Sequence, residues 1–197
     1  TSPELISKDL EKRNPKIAEL LKKLPSNEAI AVDNMKQFPV VIGHSGLDLE
    51  GDAKRNDIKD TSVKVFLGKK EYKDPKRWLT SYPGLLANVS EFEMAASGSG
   101  TVSVAEEPDG IIRRVPLISD VAGTIRPTLG LEMIRVAFQG NSIATRTGIN
   151  GVEEIVIQTK AIGNASIPTD ENGRVWIHYG ESDSVNGNET RYYVSAV

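Results

Sequence analysis

Residues 98–117 read GSGTVSVAEEPDGIIRRVPL, and residues 126–131 follow as RPTLGL. In the first stretch Val102 and Val104 alternate with polar residues, Asp109-Gly110 supplies turn chemistry, and Ile111, Ile112, Val115 and Leu117 form a return. Asp bonds its own backbone in such a turn, and glycine tolerates positive φ. The pattern predicts an antiparallel hairpin over 101–117, with Gly98 and Gly100 in a turn before it. Pro116 then belongs at an edge or strand end, because it offers no ladder N–H. The second stretch predicts a helix in which Pro127 suits the first turn. Leu129, Met133, Val136 and Ala137 make its inner stripe until Gly140 ends it.

Upstream, three helix starts are marked by Ser2-Pro3, Asn14-Pro15 and Ser26, each pairing a capping side chain with a helix-compatible first turn. Ile17, Leu20, Leu21 and Leu24 recur at helical spacing. Pro39-Val40-Val41-Ile42-Gly43 reads as a buried strand, for which a parallel partner is expected upstream of Thr1. Residues 48–77 read as a basic irregular arm, with a short strand at Val63, Val65 and Leu67. Downstream, Val152, Ile155 and Ile157 suggest a strand. A second hairpin is expected where Ala165 and Ile167 lead through Asp170-Glu171-Asn172-Gly173 to Val175, Ile177 and Tyr179. Tyr192-Tyr193-Val194 suggests a last strand. The class is α/β: a single domain with a mixed central sheet, antiparallel hairpins and packed helices.

Composition narrows the function. The chain has 197 residues, 39% of them apolar and 26% charged, with a net charge of −3. That excludes a wholly disordered chain and a fibre, and gives no overall field for non-specific nucleic-acid binding. With no cysteine, thiolate catalysis, thiolate metal sites and disulfides are ruled out. No apolar run reaches the roughly 20 residues that span a bilayer.

Candidate chemistry is sparse. His44 and His178 form no short-spaced pair, so the expectation is ordinary hydrogen-bonded surface or boundary histidines rather than metal ligands. Ser45 beside His44 does not make a triad. Ser97-Gly98-Ser99-Gly100-Thr101 lacks the lysine of a phosphate loop. Asp109 and Asp170 are explained as turn residues rather than an acid/base pair. Asn88, Asn164 and Asn188 match the glycosylation acceptor pattern, which carries little information.

Arg113-Arg114 is the more informative pair. Adjacent strand residues point to opposite faces, so one guanidinium is expected to reach inward to a carboxylate such as Asp109, Asp120 or Glu132, or to an anionic ligand. Trp176, His178 and Tyr179 either line a recognition surface or stabilise their strand. Asn172 and Gly173 serve the second turn.

The linked patterns resemble the CHASE2 family of bacterial extracytoplasmic sensory domains. The resemblance rests on GSGTVSVAEEPDGIIRRVPL, on Arg126-Pro127-Thr128-Leu129-Gly130-Leu131 with Thr128 where the family has serine, and on PTDENGRVWIHY at 168–179. Leu24-Pro25-Ser26-Asn27 and the stretch from Tyr82 to Asn88 add to it. It implies one sensory domain over 1–197, cut at both ends from a longer membrane receptor. Membrane helices and a cytoplasmic cyclase, histidine kinase or Ser/Thr kinase output would be covalently attached. The implied site is non-enzymatic, without cofactor or metal. Asp109, Gly110, Arg113, Arg114 and Pro116 would maintain its core. The stimulus would be a small molecule, an ion or a protein rather than nucleic acid, with a homodimer allowed. A freestanding small-molecule binding protein and a structural protein-interaction domain stand as alternatives.

Overall fold

The computed structural model describes residues 2–52, 54–59, 61, 63–67, 74–104, 107, 109–160 and 163–177. The strand expected at Tyr192–Val194, with His178 and Tyr179, lies outside them. Three helices open the chain: α1 (Pro3–Leu10), α2 (Pro15–Lys22) and α3 (Asn27–Gln37). Their starts are those marked in the sequence. The side chains of Ser2, Asn14 and Ser26 accept the N–H groups of Leu5, Ile17 and Ala29, satisfying donors that the first helical turn leaves open.

Strand β1 (Val41–Leu47) follows, then β2 (Lys64–Leu67), β3 (Ser81–Tyr82) and β4 (Gly84–Leu86). After α4 (Ser90–Ala95) come β5 (Gly98–Thr101), β6 (Arg114–Pro116), β7 (Ile118–Val121) and β8 (Thr124–Pro127). Helix α5 (Leu129–Ala137) leads to β9 (Gly140–Gly148), β10 (Gly151–Thr159), β11 (Asn164–Pro168) and β12 (Arg174–Trp176). The α/β class holds, with the strands distributed over four ladders: β4-β1-β5, β11-β10-β9-β2, β12-β6 and β3-β7-β8. Three of them mix parallel and antiparallel neighbours.

Several expectations change here. Gly98 and Gly100 are not in a turn; they lie in β5, which is buried throughout and runs parallel to β1 with Val41 opposite Gly98 and His44 opposite Thr101. The parallel partner sought upstream of Thr1 is therefore within the chain. The 101–117 hairpin does not form. Val102 and Val104 lie beyond the end of β5, and β6 pairs antiparallel with β12, Arg114 opposite Trp176. The second hairpin fails for the same reason: β11 pairs with β10, while β12 leaves for β6. The turn at 170–173 itself is present, with Gly173 at φ +71° donating to the Asp170 carbonyl at 2.9 Å.

Helix α5 is also phased differently. Pro127 ends β8 and Gly140 begins β9, so neither belongs to the helix. Leu131 and Glu132 are its buried residues, while Met133 and Ala137 face solvent. The cause is the bare surface of β5. A Cβ on Gly98 would lie 2.2 Å from a Glu132 carboxylate oxygen, and one on Gly100 would lie 2.6 Å from the Leu129 Cα. Gly100 thus lets the helix backbone settle on the strand, and Gly98 makes room for the Glu132 carboxylate.

The main core lies against the β9–β10 sheet. Ile143, Ile155 and Ile157 meet Val63, Leu79, Ile118, Ile125, Leu131 and Val152, each worth about 1.5–3 kcal/mol when fully buried.

Candidate functional site

Arg113 and Arg114 do not point to opposite sides. Arg114 Nε donates to Glu107 Oε1 at 3.1 Å, and Arg113 Nη1 donates to Glu107 Oε2 at 3.1 Å, so both guanidiniums share one carboxylate. Strand alternation does not bind Arg113 because β6 begins only at Arg114. Arg113 also pairs with Asp109 at 2.7 Å, the partner expected, and holds that carboxyl below its usual range. Arg114 reaches Asp170 at 3.5 Å and lies over the ring of Trp176, 5.3 Å from its centroid. Asp120 and Glu132 are not partners of either arginine. Burial pushes the Asp120 carboxyl up, and Glu132 is gripped by Arg135.

The two turns fasten this network. Asp109 Oδ1 accepts the Ile111 N–H, with Gly110 at φ +75°. Asp170 Oδ1 accepts the N–H groups of Asn172 and Arg174 at 3.0 and 2.9 Å, and the Asn172 side chain donates to the Trp78 carbonyl. Asp170 also takes Arg174 Nε at 2.9 Å. These partly exposed pairs contribute little energy singly; together they fix the orientation of the β6–β12 ribbon.

On its other face the ribbon covers a cavity. Arg114, Arg174 and Trp176 share one side by strand alternation, leaving Val115 and Val175 on the opposite side. These two valines, with Leu117, Leu129, Leu131 and Ile134, are among the walls of a cavity of about 500 Å³. Its size falls within the range of small-molecule pockets. Helix α5 starts at its edge without a side-chain cap, because the Thr128 hydroxyl donates to the Leu117 carbonyl instead. The sequence reading missed this cavity: its walls come from five separated segments, and no motif joins them.

A second centre is polar and closed. His44 is only 2% exposed, a correction to the surface or boundary position expected, and its Nδ1 lies 2.9 Å from Ser99 Oγ. Ser99 is itself fully buried, so the pair has no open face for a substrate. Glu93, also fully buried, accepts the Lys59 N–H at 2.9 Å and both N–H types of Asn88. Arg126 Nη1 donates to the Lys59 carbonyl at 3.3 Å. This network holds the irregular arm around Lys59 against α4 and β8. Among the described residues no group of three His, Asp or Glu side chains could hold a metal.

Burial, helped by the Arg126 charge and opposed by Glu93, lowers the His44 pKa to about 4 from the ordinary 6.5. Between those values the unfolded chain binds a proton that the folded chain refuses, so stability falls as pH drops from 6.5 to about 4 and levels off below. Urea midpoints of the wild type and His44→Gln should therefore converge over that window. Parallel pH profiles would remove His44 from the acid response.

The described architecture is an α/β domain carrying a ligand-sized apolar cavity and a closed polar core. Residues 6–197 match the CHASE2 domain, and the chain belongs to that family of extracytoplasmic sensory domains. No curated protein and no solved structure matches it. No helix among the described residues is long and apolar enough to cross a membrane.

Proposed function

We propose that this chain is the input domain of a bacterial membrane receptor, acting without catalysis, and that the cavity between α5 and the β6–β12 ribbon receives an apolar small molecule. The cavity carries the reading: about 500 Å³ walled largely by valine, leucine and isoleucine, a size and lining that suit an apolar small molecule. A ligand there touches two elements at once, α5 and the ribbon. It favours whichever packing of the two it fits better, and only such differential binding shifts a signalling equilibrium.

Ile134 lines the cavity yet is partly exposed, so Ile134→Trp can fill it without opening the core. In a reporter strain carrying the full receptor, the variant should fold, reach wild-type level and lock the output in one state, with the stimulus response reduced at least tenfold. A normal response from a folded Ile134→Trp receptor would show that the cavity is not read.

A further inference from the structure

We infer that a second, polar cleft, between α5 and the start of β2, is a binding site for a small oxyanion. The cleft measures about 240 Å³ and is walled by Thr61, Lys64, Glu132, Arg135, Asn141 and Ser142, with Ile143 at its base. It shares no wall residue with the apolar cavity, and anion binding here needs nothing from the role assigned to that cavity.

The charge balance of the walls points to an anion. Glu132 is completely buried and gives both carboxylate oxygens to Arg135, Nε to Oε2 at 2.7 Å. That pair is neutral and committed, and its position is built in. Gly98 leaves room for the carboxylate and Gly140 for the arginine stem, whose Cγ a Cβ at Gly140 would approach to 2.7 Å. Arg135 Nη1 is held by the Gly140 carbonyl at 2.8 Å, Nη2 by that of Ser97 at 3.4 Å. The hydroxyls of Thr61 and Ser142 are spent on the Ser99 carbonyl and on Gln158.

What remains is donors. The Lys64 ammonium and the Asn141 side-chain amide have no partner among the described residues, and Arg135 Nη1 keeps one N–H beyond its bond to Gly140. Against the neutral Glu132–Arg135 pair, Lys64 leaves one uncompensated positive charge. A phosphate or a short carboxylate offers the multiple acceptors these donors need. The space accommodates either with a bridging water, whose share of liquid volume is about 30 Å³.

The test is a titration of the ¹⁵N-labelled 197-residue chain with sodium phosphate and, separately, sodium succinate, against sodium chloride at matched ionic strength. Saturable shifts at Thr61, Lys64, Arg135, Asn141 and Ser142, absent with chloride, are expected. Lys64→Ala, at an exposed position, should weaken binding at least tenfold while its spectrum stays folded. Lys54→Ala, on an exposed lysine paired with Glu50, should leave it unchanged. Saturation by phosphate alone identifies an inorganic or phosphoryl ligand, and by succinate alone a carboxylate one. Linear shifts with both anions, or equal affinity in Lys64→Ala, would overturn the site. Ile134→Trp should bind the anion normally, so failure here and failure of the apolar cavity are separately visible.

Discussion

Replacing Gly100 with alanine should cost about 3 kcal/mol of folding stability, near the upper end of ordinary overpacking penalties. The added Cβ meets backbone rather than a pliable side chain: Leu129 Cα at 2.6 Å, Leu129 N at 2.7 Å and Thr128 C at 2.8 Å. No rotamer change relieves such contacts; α5 must lift from β5. Lifting it opens the core at Leu131 and moves Leu129 in the cavity wall. Chemical denaturation of Gly100→Ala measures the loss. Gly130→Ala serves as the control, because its Cβ meets nothing within 4 Å. That change should be neutral or stabilising, since alanine is the better helix former. A Gly100→Ala protein as stable as the wild type would show that the helix does not rest on this strand.

Glu132→Ala should lose about 3 kcal/mol as well, by a different route. Removing the buried carboxylate strands the Arg135 guanidinium, whose charged form Glu132 favours by hydrogen bonding and proximity. Breaking one partner of a buried pair is typically far more costly than replacing both. The double variant Glu132→Met, Arg135→Met should therefore recover much of the loss, and thermal unfolding of Glu132→Ala, of the single Arg135→Met and of the double variant measures the difference. Additive losses in the double variant would mean that the two side chains act independently.

What the residues disclosed depended on distance along the chain. Helix starts at Ser2, Asn14 and Ser26 were legible because a cap bonds a neighbour three residues away. So were the Asp109-Gly110 and Asp170-Gly173 turns, whose bonds close within four residues. Strand β9, Gly140–Gly148, was not: its Thr145 and Thr147 are fully buried but carry no apolar alternation, and glycines bound it at both ends. The two expected hairpins failed because adjacent β-like stretches signal strands without naming partners. β12 returns to β6 across the whole of α5 and the β9–β11 meander. The family resemblance was legible because it reads motif order, which survives an error in pairing. At the site, the arginine pair and its Asp109 partner could be anticipated. The shared Glu107 could not, since adjacency within a strand argued against convergence.

The β6–β12 pairing also bears on how the protein is made. Arg114 meets Trp176 about sixty residues after it is synthesised, and β2 waits still longer for β9. A chain made from its N-terminus can complete α1, α2 and α3 at once, but must hold Val115 and its neighbours unpartnered until Val175 and Trp176 have been made. Such late closure of distant pairs slows folding and lengthens exposure to aggregation. Conditions that limit aggregation while these distant pairs form should therefore govern the yield of this domain more than the strength of any single contact within it.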